Sequence, residues 1–184
     1  MVRDNPNLKI PSRRKVNYQS DDEIKSRNLV VYLLSRNDLS SMTAGKELAQ
    51  AQHAGVQMAA KYHNHKDVKE YLANGIRDGA DHFNTTVTLE TDHFMIRDIV
   101  QLAQKLGYAA DFVNDPTYPF VVDYEIARVY NIPWVKSLDD NKVMATRPEL
   151  TLGWLLGNKE DPNFTKLVEG LELKSHNKLI YAEK

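Results

Sequence analysis

The sequence predicts an α/β layer fold, and three observations lead to it. The apolar run Leu29 to Leu34, bounded by polar residues, carries the pattern of a strand buried on both faces. An alanine-rich stretch of strong helix formers follows, from about Ala44 to Tyr62. The two patterns then recur, giving the order strand, helix, strand, helix, strand.

The elements can be justified in chain order. Residues 1–27 hold Pro6, Pro11 and, within the first twenty, the cations Arg3, Lys9, Arg13, Arg14 and Lys15 against only Asp4, without apolar periodicity, so a flexible basic arm is expected. After the first strand, residues 35–43 form a loop into the first helix. Lys66 to Leu72 continues helically, and Asn74-Gly75 ends it. Ala80 to Leu89 reads as a second strand. Thr91-Asp92 offers a helix start, with Phe94, Ile96, Ile99, Val100, Leu102, Ala103 and Leu106 at helical spacing until Gly107. Tyr108 to Val113 is a third strand and runs into Asn114-Asp115-Pro116. Residues 117–149 carry three prolines around a short helix, Val121 to Tyr130, and read as an insertion that covers something. Leu150 to Leu156 is a last strand, Asn163 to Gly170 a short helix, and residues 174–184 a peripheral tail.

Composition narrows the chemistry. The 184 residues fit one domain, spanning about residues 28–173, and 42% apolar content is enough for a core. Absence of cysteine removes disulfides, thiolate nucleophiles, zinc–thiolate sites and iron–sulfur clusters. The longest apolar run is far too short to cross a bilayer, and the polar start has no signal-peptide core, so a cytoplasmic protein without a membrane partner is expected. A net charge of −1 gives no overall attraction to nucleic acid; the positive charge is local.

On the first helix Lys46, Gln50 and His53 are spaced by four and three residues, which puts them in one column. Such a column is either a solvated stripe or a ligand-facing one. The small neighbours Ala44, Gly45, Ala49, Ala51, Ala54 and Gly55 allow a ligand or another backbone to approach closely. Gly45-Lys46 lacks the glycine before it and the Ser/Thr after it that a phosphate loop requires. His63-Asn64-His65, His82 and His93 have no metal-ligand spacing, so neither a metal nor a cofactor is expected.

Arg36-Asn37-Asp38-Leu39, then Met42, Gly45-Lys46, Ala49-Gln50 and His53-Ala54, resemble the signature of the type 2 peptidyl-tRNA hydrolase family. That pattern reads R-x-D-L-x-M-x-x-G-K-x-x-A-Q-x-x-H-A after a buried strand, and here one extra serine precedes Met42. Lys105-Leu106-Gly107-Tyr108 with Phe112-Val113-Asn114-Asp115, and Pro148 with Thr151-Leu152-Gly153, resemble two later blocks of the family in order and spacing.

The resemblance implies a three-layer α/β/α fold with a mixed four-stranded sheet, and hydrolysis of the ester joining a peptide to the 3′ end of tRNA. It implies Asp115 as the catalytic carboxylate, Lys46 as the cation that holds it and stabilises the transition state, and Thr151 as a hydroxyl positioning substrate or water. Gln50 and His53 would support them, His53 in preference to catalysing. Arg36 and Asp38 either pair at the strand end, or contact RNA and cap the next helix. Arg147 and Arg36 would add to a positive face for the polyanion. The family often forms dimers, so the resemblance leaves a homodimer open, with no residue here marking an interface. Two departures stand out. The family continues D-A-G-R-T after its aspartate, whereas this chain reads Asp115-Pro116-Thr117-Tyr118, leaving Thr117 and Thr146 as rival counterparts of the family's threonine. The insertion carries Tyr118, Phe120, Tyr124, Tyr130 and Trp134, suited to base stacking or to ordinary packing. The rival to the enzyme is a binding module of the same fold with weakened chemistry.

Overall fold

The computed structural model describes residues 28–39, 41–74 and 84–174. The expected basic arm, residues 80–83 of the expected second strand, His82 and the tail from residue 175 lie outside them. The elements are β1 (Leu29–Arg36), α1 (Ala44–Lys61), α2 (Lys66–Asn74), β2 (Thr85–Thr91), α3 (His93–Lys105), β3 (Ala109–Asp123), α4 (Tyr124–Val129), β4 (Trp134–Ser137), β5 (Lys142–Asn158), α5 (Pro162–Lys166) and β6 (Glu172–Leu173). The α/β class expected from the sequence is the one observed.

The sheet has six strands rather than four. Its order is β3-β5-β1-β2-β6, with β4 pairing β5 as well. Strands β1 and β2 run parallel, while β5 lies antiparallel to β1, β3 and β4, and β6 antiparallel to β2. The additions to the expected four are the two shortest strands: β6, with two residues, and β4, with four.

Alternation along β1 builds two cores. Val30, Tyr32 and Leu34 pack with Ile96, Val100 and Phe164 of α3 and α5, whereas Leu29, Val31 and Leu33 pack with Ala54, Met58, Val68 and Tyr71 of α1 and α2. Helices therefore cover both faces, and β1 is buried along its whole length. The helix starts are chemical: the Thr43 hydroxyl accepts from Lys46 N–H before α1, and the Asp92 carboxylate accepts from Met95 N–H before α3. Gly107, at φ 85°, ends α3 in the left-handed conformation that glycine adopts without strain.

Residues 117–149 continue the sheet instead of leaving it. The expected strands stopped at Val113 and started at Leu150, but β3 runs on to Asp123 and β5 begins at Lys142, so the pair forms one long ribbon. Prolines that read as breakers sit where the ladder tolerates them. Pro116 lies in the register shift between Asp115 and Tyr118, and Pro119 lies on an edge strand. Helix α4 and β4 fold back onto this ribbon around buried Ala127, Val143 and Ala145, and Tyr124 meets Trp134 edge to face at 5.6 Å. Two helices are shorter than expected: α4 covers only Tyr124–Val129, and α5 covers only Pro162–Lys166.

On the α3–α5 face, β5 presents glycine where a side chain would collide. A Cβ at Gly153 would stand 2.7 Å from Ile96 Cγ2 and 2.9 Å from Val100 Cγ2. Those methyls belong to β-branched side chains with no exposed surface. Gly153→Ala should therefore cost about 1–3 kcal/mol by overpacking, read as a lower urea midpoint at unchanged slope.

Candidate functional site

Helix α1 lies along β3, and a seam of polar side chains joins them. Lys46 sits over the ring of Tyr118, Gln50 bonds Asp115, Gln57 donates to the Phe112 carbonyl, Lys61 pairs with Asp111, and Tyr62 donates to the Ala110 carbonyl. Residue numbers rise on the helix as they fall on the strand, so the two run in opposite directions. The lengths match: sixteen helical residues rise about 24 Å and eight strand residues span about 26 Å. The column seen in the sequence as Lys46, Gln50 and His53 is the first half of this seam. Gln57, one step further in the same spacing, was missed, although continuing the pattern by four residues finds it.

Gln50 is the junction. Its Nε2 donates to Asp115 Oδ2 at 3.2 Å, and its Oε1 accepts from the Thr151 hydroxyl at 2.8 Å. A carboxylate can only accept, so the amide nitrogen must face Asp115 and the amide oxygen must face Thr151. The Thr151 hydroxyl shares its proton with the Val113 carbonyl at 3.0 Å. Gln50 and Thr151 are both buried, at 4% and 0% exposure, so Thr151 acts through Gln50 and does not meet solvent.

A bulge brings Thr151 there. Leu152 pairs with Val113 and Leu150 with Asn114, which leaves Thr151 without a partner across the ladder. Leu150 belongs to the α3–α5 core and Leu152 to the α1–α2 core, so the extra residue turns its side chain toward α1 alongside Leu152. The other oxygen of Asp115, Oδ1, accepts from the Thr117 N–H at 2.9 Å and from the Thr117 hydroxyl at 3.3 Å. Thr117 thus reaches the site by a local turn.

Asp115 and His53 line one open pocket of about 300 Å³ with Gln57, Val113, Asn114 and Pro116. Lys46 stands beyond it. Its ammonium lies 4.7 Å from the centre of the Tyr118 ring and makes no ion pair among the described residues. Tyr118 is itself buried, and its hydroxyl accepts from Ser41 at 2.9 Å. The sequence pointed to Tyr118 only as one aromatic residue of the insertion; its place under Lys46 depends on the length of β3.

Arg36 and Asp38 are placed by the structure as a pair. Arg36 Nε and Nη2 donate to the two Asp38 oxygens at 2.7 and 2.8 Å, and Nη1 reaches Glu149 and the Leu150 carbonyl. With its side chain only 8% exposed, Arg36 is spent inside the molecule. Arg147 is half exposed, pairs with Glu149 at 2.8 Å and lies over Phe120 at 5.0 Å. Thr146, the rival counterpart to Thr117, lies opposite Pro119 in the ribbon. Among the described residues no group of three or more His, Asp or Glu side chains converges as a metal set, and no helix is long and apolar enough to cross a membrane.

Two outcomes follow for stability. Thr151→Val leaves Gln50 Oε1 buried without its donor and should cost about 1–3 kcal/mol in urea unfolding, with Thr151→Ser recovering most of it. The Arg36 hydrogen bonds hold the Asp38 carboxyl below the ordinary carboxylate range, against the opposing effect of burial. A depressed folded-state value means that this contribution is present above the unfolded value of about 3.9 and fades as pH falls through the folded value. Asp38→Asn should therefore lower stability at neutral pH and flatten its decline below about pH 4, measured by urea melts across pH.

No protein-family model matches the chain, and no curated protein matches it. Among solved structures, a protein of unknown function from Agrobacterium tumefaciens is similar at a TM-score of 0.41 and 16% identity, covering 80% of this chain and 98% of that one. A likeness of that degree says nothing of chemistry.

Proposed function

We propose that this protein hydrolyses the ester of peptidyl-tRNA, releasing peptide and free tRNA, as its resemblance to the type 2 peptidyl-tRNA hydrolases implies. The observation that carries the reading is the Gln50 amide clamped between Asp115 and Thr151 at the wall of an open pocket. These residues come from three separate blocks of the family pattern. The four central strands β3-β5-β1-β2 with helices on both faces stand for the family's sheet, and β4 and β6 are additions of this chain.

The chemistry needs a water, a base and compensation for a developing oxyanion. Asp115 takes the proton of a water entering the pocket. Gln50 and Thr117 hold the carboxylate in one orientation at the pocket wall. Thr151 keeps the Gln50 amide from flipping. Lys46, one turn before Gln50 on the same face, supplies positive charge to the acyl group and to the tRNA end. On this reading neither metal nor cofactor takes part, and the protein works in the cytoplasm as a dimer. Arg147, half exposed above Phe120, is the remaining candidate for a phosphate contact, whereas Arg36 and Asp38 shape the pocket's surroundings.

A second reading is a module of this fold that binds RNA or protein with little or no hydrolysis. It is favoured by Lys46 lying on Tyr118 instead of against Asp115, and by the near-neutral net charge. Purified peptidyl-tRNA incubated with the full chain and a chelator separates the two. The enzyme reading expects peptide release, lowered about 10²–10⁴-fold by Asp115→Asn and lowered also by Lys46→Ala. Retained tRNA binding without release selects the module.

A further inference from the structure

Along the α1–β3 seam, one residue is left over. Gln50, Gln57, Lys61 and Tyr62 each give a polar atom to β3, the amide oxygens of Gln50 and Gln57 accept from Thr151 and Trp154 of β5, and the Lys46 ammonium lies over the Tyr118 ring. His53 lies between Gln50 and Gln57 on the same face. It is exposed, and its imidazole has no polar partner among the described residues. It lines the pocket that Asp115 lines from β3, and among the described residues these two are the titratable groups of that lining. The remaining lining residues, Gln57, Val113, Asn114 and Pro116, carry no charge.

A carboxylate and an imidazole on two different elements, facing one cavity, match the two proton transfers of ester hydrolysis. We infer that His53 is a catalytic residue, the acid that protonates the departing hydroxyl oxygen; this rests on the ester-hydrolase reading above. Water adds to the acyl carbon, forming a carbon–oxygen bond, and its proton goes to the Asp115 carboxylate. The tetrahedral oxyanion then collapses. The bond between the acyl carbon and the ribose oxygen breaks, that oxygen leaves with the electron pair, and the His53 imidazolium gives it a proton. Products are a free carboxylic acid and a free hydroxyl. Asp115 is left protonated and His53 neutral, and a water in the open pocket carries the proton back.

The arrangement also explains why His53 is not tied down. An acid that must reach a leaving group cannot have its ring nitrogens held by the backbone, as Gln57 and Tyr62 are held. Its place is fixed instead by the helix, which the neighbouring seam residues clamp on either side.

The test uses the full-length chain and purified peptidyl-tRNA, comparing wild type, His53→Ala, His53→Gln and Asp115→Asn across pH. Both His53 variants should lose about 10²–10⁴-fold in kcat with KM within a few-fold of wild type. The basic limb of the wild-type kcat profile should be absent from them, and added imidazole should raise kcat for His53→Ala as its concentration rises. If the His53 variants keep kcat within about threefold, or lose rate while retaining the basic limb, the inference is overturned and the hydrolase reading survives. If wild type releases no peptide at any pH, the hydrolase reading fails and takes this inference with it.

Discussion

The clamp of α1 against the outer strand of the sheet is the constraint on which the site depends. A helix advances less than half as far per residue as a strand, so side chains three or four apart on the helix meet strand positions one to three apart. Lys46, Gln50, Gln57, Lys61 and Tyr62 keep that correspondence over about four helical turns. The carbonyls of Ala110 and Phe112 are two residues apart and so lie on the same side of β3, where an edge strand would otherwise leave them open. Gln104 of α3 donates to the Ala110 carbonyl as well, at 2.8 Å. The same bonds that seal the edge therefore set where Gln50, His53 and Lys46 stand relative to Asp115.

Much of the frame was legible because it obeys local rules. The Leu29–Leu34 run has to be buried on both faces, Asp92 and Gly107 bracket α3 as start and stop signals, and the 46-50-53 spacing places three polar groups on one face wherever the helix packs. What escaped has a common cause. Proline at 116, 119 and 148 reads as an interruption, yet a bulge and an edge position remove the need for its missing N–H, so the long ribbon was hidden. Tyr118 under Lys46 was hidden with it. Arg36 was undecided for a different reason: its pairing with Asp38 is local, but Glu149, which also binds its guanidinium, lies 113 positions away, and no local spacing reveals it.

Asp115 is held from two sides by groups of different kinds. Gln50 comes from a distant helix and depends on Thr151, whereas Thr117 comes from the turn beginning at Asp115 itself. Thr117 thus stands against the aspartate through a turn of two residues. Burial separates the roles further. Thr151 and Gln50 are shielded and serve geometry, while His53 is open to water.

The bulge at Thr151 carries a consequence for how this molecule tolerates change. Leu150 and Leu152 face opposite layers, as neighbours in an unbroken strand would, so the threonine between them is surplus to the pleat. Excising that single codon would let Leu150 and Leu152 follow one another on opposite faces, opposite Asn114 and Val113, and would leave the Gln50 amide oxygen without its donor. The scaffold and its chemistry are in that sense separable at one amino acid: a lineage could shed the hydroxyl that steers Gln50 and still inherit an intact sheet.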